Sequence, residues 1–190
     1  MPAAIPSSSS RETPARKAPA KNKGRTGSRK SVTGNLVMLY TARGGVDEFV
    51  GKVARATPFE LVETERYGVS GDFLKALSRK LDVPAVRVFE MVGVPKATIA
   101  KKVSSQEVVS GSRGQAAIGV AKLLAKAQEI VRNSTAQEAQ GFDSAKWLGR
   151  WLDIPQAALG GRKPAELLDT PTGIEMVLRL LGAIESGAYQ

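Results

Sequence analysis

The 190-residue sequence contains no cysteine and no histidine, and only 5% of it is aromatic. Without cysteine there is no disulfide, no thiolate metal site and no thiol nucleophile; without histidine the commonest general base and the commonest metal ligand are gone. Catalysis would have to rest on a Ser-Lys pair, a lysine Schiff base or a carboxylate dyad, and none of these leaves a local signature here. The expectation is a binding protein, not an enzyme, with no cofactor and no metal. Nothing reaches the ~18 consecutive apolar residues of a membrane span, and no apolar run of about 7–15 residues follows the early charges as in a secretory signal. A cytoplasmic protein without a membrane partner is expected.

Acidic residues are also scarce, with 18 Asp and Glu against 28 Lys and Arg for a formal net charge of +10. The imbalance is local. Residues 1–35 hold eight Lys or Arg, four prolines and the run Ser7–Ser10 against the single acid Glu12, and so carry +7 of that charge. With Ile5 and Val32 as their only β-branched apolar residues, they cannot bury enough surface to offset the entropy of ordering, which predicts a disordered basic tail. Such an arm suits phosphate backbones, without reading sequence, or a solubilising leader. Its Arg- and Ser-rich, acid-poor composition also fits a transit peptide.

Beyond the tail the dominant period is helical. Asn35–Tyr40 is a short apolar run that could be a strand or a helix end, broken by Gly44 and Gly45. Val46, Phe49, Val50, Val53 and Ala54 share one helical face, and Thr57 and Pro58 open a second element to Arg66 that Gly68 ends. Ser70 opens a helix whose Phe73, Leu74, Leu77 and Leu81 oppose Lys75, Arg79 and Lys80. Ala85–Val92 follows, with Val86, Phe89 and Val92 at helical spacing. Ser104 and Glu107 have the reciprocal capping spacing of a helix start, interrupted early by Gly111 and Gly114. A helix over about residues 115–132 then carries a seam of Ala116, Val120, Leu123, Leu124, Ala127, Ile130 and Val131, long enough for two neighbours. The fold class is all-α: a helix-turn-helix region followed by a small helical domain, after the disordered tail. The expected divisions are 1–35, an unassigned helical segment 36–67, a helix-turn-helix region 68–132 and a carboxy-terminal unit 133–190.

The helix-turn-helix reading rests on Ala85–Val92, the tight Gly93-Val94-Pro95 and a second helix Lys96–Val103 with Ile99 and Val103 turned inward. Its outward residues make Lys96, Ala97, Thr98, Ala100, Lys101 and Lys102 the candidate contacts to operator DNA. The lysines would hold register on phosphates, and the alanines could meet only thymine methyls. Two residues depart from the motif: Phe89 stands four before Gly93, where a small side chain is favoured, and Lys102 where the core is usually filled. The other reading of this stretch is a helical hairpin that packs and binds nothing.

In the carboxy-terminal unit Trp147 and Trp151 share a side of one helix, beside Leu148 and Leu152. Gly160 and Gly161 permit a sharp turn, and Pro164 and Pro171 each start a further helix. The last places Ile174, Val177, Leu178, Leu181 and Ile184 on one face and closes at Gly187. Gly173 and Gly182, each costing about 1 kcal/mol relative to alanine, imply close approach of another backbone.

Leu74-x2-Leu77-x3-Leu81, Phe89-x-Met91-Val92-Gly93-Val94-Pro95, Leu159-Gly160-Gly161-Arg162-Lys163-Pro164-x2-Leu167-Leu168-x2-Pro171-x-Gly173 and Leu181-x2-Ile184-Glu185-x-Gly187 resemble the Xre/MbcA/ParS-like antitoxins over roughly residues 58–190. The resemblance implies a helix-turn-helix region and a toxin-binding carboxy-terminal domain, paired with a RES-domain toxin that consumes NAD or transfers ADP-ribose. It implies a toxin-facing set of Leu159, Gly160, Gly161, Arg162, Pro164, Leu167, Leu168, Gly173, Ile184, Gly187 and Tyr189, some of which would shape the domain that presents the contact. The function expected is that of a type II antitoxin that occludes its toxin, represses its own operon through operator DNA and associates with itself as a homodimer. The rival is a stand-alone helix-turn-helix regulator whose carboxy-terminal helices dimerise.

Overall fold

Thr57 and Glu60 illustrate how local sequence sets the architecture. In the computed structural model, which describes residues 37–95, 97–98, 107–135 and 137–185, they form a reciprocal capping box. The Thr57 hydroxyl accepts from the Glu60 N–H at 3.3 Å and the Glu60 carboxylate accepts from the Thr57 N–H at 2.8 Å. The Thr57 N–H, joined by the Thr57 hydroxyl donating at 2.9 Å, holds the Glu60 carboxyl below the ordinary carboxylate range. The basic segment 1–35, the Ser104 cap, most of the second helix of the expected helix-turn-helix, Gly187 and Tyr189 lie outside the described residues.

The helix so capped, α2 (Pro58–Tyr67), follows α1 (Gly45–Arg55), whose Val46, Phe49, Val50 and Val53 are buried along the expected stripe. Residues 37–40 adopt neither strand nor helix. Buried Thr64 ties them down: its hydroxyl donates to the Glu60 carbonyl at 2.7 Å and accepts from the Met38 N–H at 3.0 Å. Tyr40, Phe49 and Phe73 form one ring cluster with centroids 4.6–6.3 Å apart, joining this segment and α1 to α3 (Gly71–Leu81). Next comes α4 (Ala85–Met91). Of the expected stripe Phe89 and Val92 are buried and Val86 is exposed, and Val88 and Met91 are buried in addition.

Of the helix start expected at Ser104–Glu107 only Glu107 lies among the described residues, and the two residues that follow it form a strand. β2 (Val108–Val109) pairs antiparallel with β1 (Val69–Ser70), Val69 opposite Val109, and the Gly71 N–H reaches the Glu107 carbonyl at 3.1 Å. Among the described residues this ladder is the only sheet, so the class remains all-α.

At the centre runs α5 (Ser112–Asn133), with Gly114 inside it and not interrupting it. Ala117, Ile118, Gly119 and Ala121 are buried in addition to the expected seam, because α1 and α2 pack on it from one part of the chain and α6 (Ser144–Trp151) and α7 (Pro171–Glu185) from another. Four neighbours replace the expected two. One hydrophobic core results, from Val46 in α1 to Leu181 in α7. On α7, Ile174, Val177 and Leu181 are buried as expected, Leu178 and Ile184 are half-buried, and Leu180 is buried as well. The Lys126 ammonium donates to the Glu185 carboxylate at 2.7 Å, which raises the lysine above its usual range, holds the carboxyl below its own and fastens the end of α7 to α5.

Gly182 departs from expectation, for a Cβ built there meets nothing within 4 Å. No close approach explains this glycine. Gly182→Ala is therefore expected to stabilise the protein by about 0.5–1 kcal/mol, through helix propensity and a less flexible unfolded chain. A raised thermal midpoint checks it; a lowered one would reveal crowding absent from this structure.

Candidate functional site

Residues 142–173 build a displayed turn on a rigid base. Asp143 caps α6 by accepting from the Lys146 N–H at 3.1 Å. Phe142, just before the cap, packs on Trp147 with centroids 6.3 Å apart, in the positions of a hydrophobic staple. Trp147 and Trp151 stack at 5.7 Å with a 17° interplanar angle. Leu148, Trp151 and Leu152 enter the core.

After α6 the chain reverses through Gly160 (φ 64°) and Gly161 (φ 78°), in the left-handed region that a side chain disfavours. The reversal is closed by backbone bonds, with the Gln156 N–H donating to the Arg162 carbonyl and the Gly161 N–H to the Gln156 carbonyl, each at 3.0 Å. The Gln156 side chain, itself buried, donates to the Ile154 carbonyl at 3.0 Å. Pro164 starts only a single 3-10 turn, Pro164–Leu167, where a longer helix was expected, and the Ala165 N–H bonds back to the Leu152 carbonyl at 2.9 Å.

The expected toxin-facing residues thus separate by position. Leu159, Pro164, Leu168 and Gly173 are buried, whereas Gly160, Gly161 and Arg162 stand exposed at the reversal. Leu167 is half-buried beside them. Ile184 is half-buried and lies about 20 Å down α7 from Pro171. Phe142 and Ile154, both exposed, were not singled out as surface residues. Trp147, Trp151 and Ile154 follow a 3-4 spacing that continues past the helix end, and this pattern could have drawn attention to them.

Of the expected DNA-facing set, Ala97 and Thr98 are exposed; Lys96, Ala100, Lys101 and Lys102 lie outside the described residues. Gly93 has φ 74° and supplies the turn after α4, and the Arg113 guanidinium donates to its carbonyl at 3.1 Å. Nearby cations are largely engaged: Lys75 with Asp72 at 3.3 Å, Lys80 with Asp47 at 2.8 Å, and Arg87 with Asp153 and Glu90. No helix among the described residues is long and apolar enough to cross a membrane.

The turn and the helices that carry it coincide with a known pattern. A family model described as the antitoxin Xre/MbcA/ParS C-terminal toxin-binding domain matches residues 139–187. The chain is similar to a Prs ADP-ribosylating antitoxin of Sphingobium sp. (strain YBL2), 35% identical over 135 residues, which is 71% of this chain and 84% of that protein. It is also similar to an antitoxin Xre of Yersinia enterocolitica, 22% identical over 129 residues, 68% of this chain and 80% of the other.

Proposed function

Since this chain belongs to the Xre/MbcA/ParS antitoxin family, we propose that its toxin is a RES-domain protein that consumes NAD or transfers ADP-ribose, and that residues 133–190 inhibit it by covering the entrance to its active site. The observation that carries this reading is the Gly160-Gly161-Arg162 tip: these three residues of the matched segment are exposed, while Leu159, Pro164, Leu168 and Gly173 of the same segment are buried. Occlusion needs affinity and no chemistry, which agrees with a sequence devoid of histidine and cysteine. Tight interfaces rest on a few anchors, among which arginine is enriched. Arg162 is the anchor at the tip, and Leu167, Ile184, Gly187 and Tyr189 extend the contact. Support for the ADP-ribose chemistry comes from the name of the Sphingobium relative.

The same chain, as a homodimer, represses its operon through Lys96, Ala97, Thr98, Ala100, Lys101 and Lys102. The exposure of Ala97 and Thr98 just beyond the Gly93 turn supports this placement.

Co-expression with the product of the reading frame adjoining this chain's gene tests the toxin assignment, read by size-exclusion chromatography and growth. Co-elution and relief of growth arrest are expected, retained when residues 1–35 are removed. Arg162→Glu should lower toxin affinity by at least about tenfold with an unchanged thermal midpoint, because the residue is exposed and only its backbone shapes the turn. Removing residues 143–190 is less informative, for it strips Leu148, Leu152 and Leu181 from the common core. Continued growth arrest with no complex would end the toxin-binding proposal.

A further inference from the structure

The toxin-facing turn is not held only from within the segment that carries it. Arg87, on α4, lies 66 positions before Asp153, and its guanidinium takes that carboxylate in a fork: Nε donates to Oδ1 at 3.1 Å and to Oδ2 at 3.4 Å, and Nη2 donates to Oδ1. On its other side Nη1 donates to Glu90 at 3.5 Å. Asp153 is the residue at which α6 has ended and the path to the turn begins; its own N–H bonds to the Arg150 carbonyl at 3.1 Å. The contact is reinforced nearby, where α4 packs on the Pro164–Leu167 turn and the Gly93 turn meets Asp169.

We infer that Arg87 is a positioning residue for toxin capture: through Asp153 it fixes the direction in which the 154–162 turn leaves α6, so that the helix-turn-helix region is part of the toxin-binding apparatus. The inference rests on the reading of that turn as the toxin contact. Arg87 lies well outside the matched segment 139–187. Nε and Nη2 lie on one rigid edge of the guanidinium and both reach Oδ1, so the contact fixes the orientation of the group as well as its distance, which a lysine ammonium would not. Both side chains are about a third exposed, so the pair adds little to global stability and its effect falls on the local path of the chain.

The full-length chain and the product of the adjoining reading frame, purified and mixed, provide the test, with toxin dissociation rates measured for Arg87→Ala, Arg87→Lys, Asp153→Ala and the double variant. Arg87→Ala and Asp153→Ala should each weaken binding roughly tenfold, mainly through faster dissociation. The double variant should be no worse than either alone, since both act through one contact. Arg87→Lys should recover only part of the affinity, and the charge exchange of Arg87→Asp with Asp153→Arg should recover more than either of its single changes. Thermal midpoints should shift by no more than a few degrees.

Wild-type affinity retained in Arg87→Ala, or additive losses in the double variant, would overturn the positioning role. So would a loss of binding that follows a loss of folding and is not relieved by Arg87→Lys or by the exchange. Failure of the unaltered chain to bind would instead remove the underlying reading of the turn, which makes the two failures distinguishable.

Discussion

Gly149→Ala and Gly173→Ala are each expected to destabilise the protein by about 2–3 kcal/mol, although alanine is the better helix former by about 1 kcal/mol. Both glycines sit in helices and both press on foreign backbone. A Cβ at Gly149 would overlap the carbonyl oxygen of Leu81 and come within 3.2 Å of Val83 Cγ1; one at Gly173 would overlap the carbonyl oxygen of Leu167 and stand 2.8 Å from Thr170 Oγ1. Backbone cannot swing aside as a flexible side chain can, so the helices themselves must part. Around 2–4 °C per kcal/mol for a domain of this size gives a fall in thermal midpoint of roughly 5–10 °C. The opposite sign expected at Gly182, in the same helix as Gly173, controls for propensity. Unchanged midpoints at 149 and 173 would mean that the α6–α3 and α7–Leu167 contacts are looser than described.

These two positions also bracket the turn. Gly149 sets how closely α6 sits on the end of α3, and Gly173 sets how closely α7 sits on the Pro164–Leu167 turn. Forcing either apart moves the frame on which Gly160, Gly161 and Arg162 are displayed, so toxin affinity should fall along with stability.

Much of this was legible in the sequence wherever one local signal decided the outcome. The Thr57–Pro58 start of α2, the Trp147–Trp151 stack and the positive φ values of Gly160 and Gly161 each depend on neighbours within a few residues. Long-range context overrode such signals elsewhere. The capping spacing at Ser104–Glu107 pointed to a helix, but Val109 meets Val69, forty positions away, and strand pairing of that range leaves no mark on a local window. On α5 the one-face rule failed because the helix is surrounded: Ala117, Ile118 and Ala121 lie off the expected seam and are buried under the other neighbours. The candidate turn was legible as a motif, yet its division into buried anchors and an exposed tip was not. A leucine and a glycine in one motif carry the same weight in sequence, and only packing shows that Leu168 faces inward while Gly161 faces out.

Phe89→Ala should cost about 3–5 kcal/mol, the range for emptying a phenylalanine site in a core, and lower the urea midpoint without altering the slope. The helix-turn-helix pattern leads to the contrary expectation, since four residues before the turn glycine it favours a small side chain and would tolerate alanine. Phe89 is fully buried in the common core, and its carbonyl accepts the Val94 N–H at 2.9 Å to close the turn that follows α4. The α3–α4 corner is thus built around a large ring, and removing it leaves a void that neighbouring helices can fill only by moving. Phe89→Leu, which keeps most of the volume, should cost markedly less. Because Arg87 stands on the same short helix two residues earlier, the void should also loosen the fork to Asp153 and shorten the lifetime of the toxin complex. A Phe89→Ala protein with native stability would instead return the corner to the close-packed helix pair that the bare motif describes.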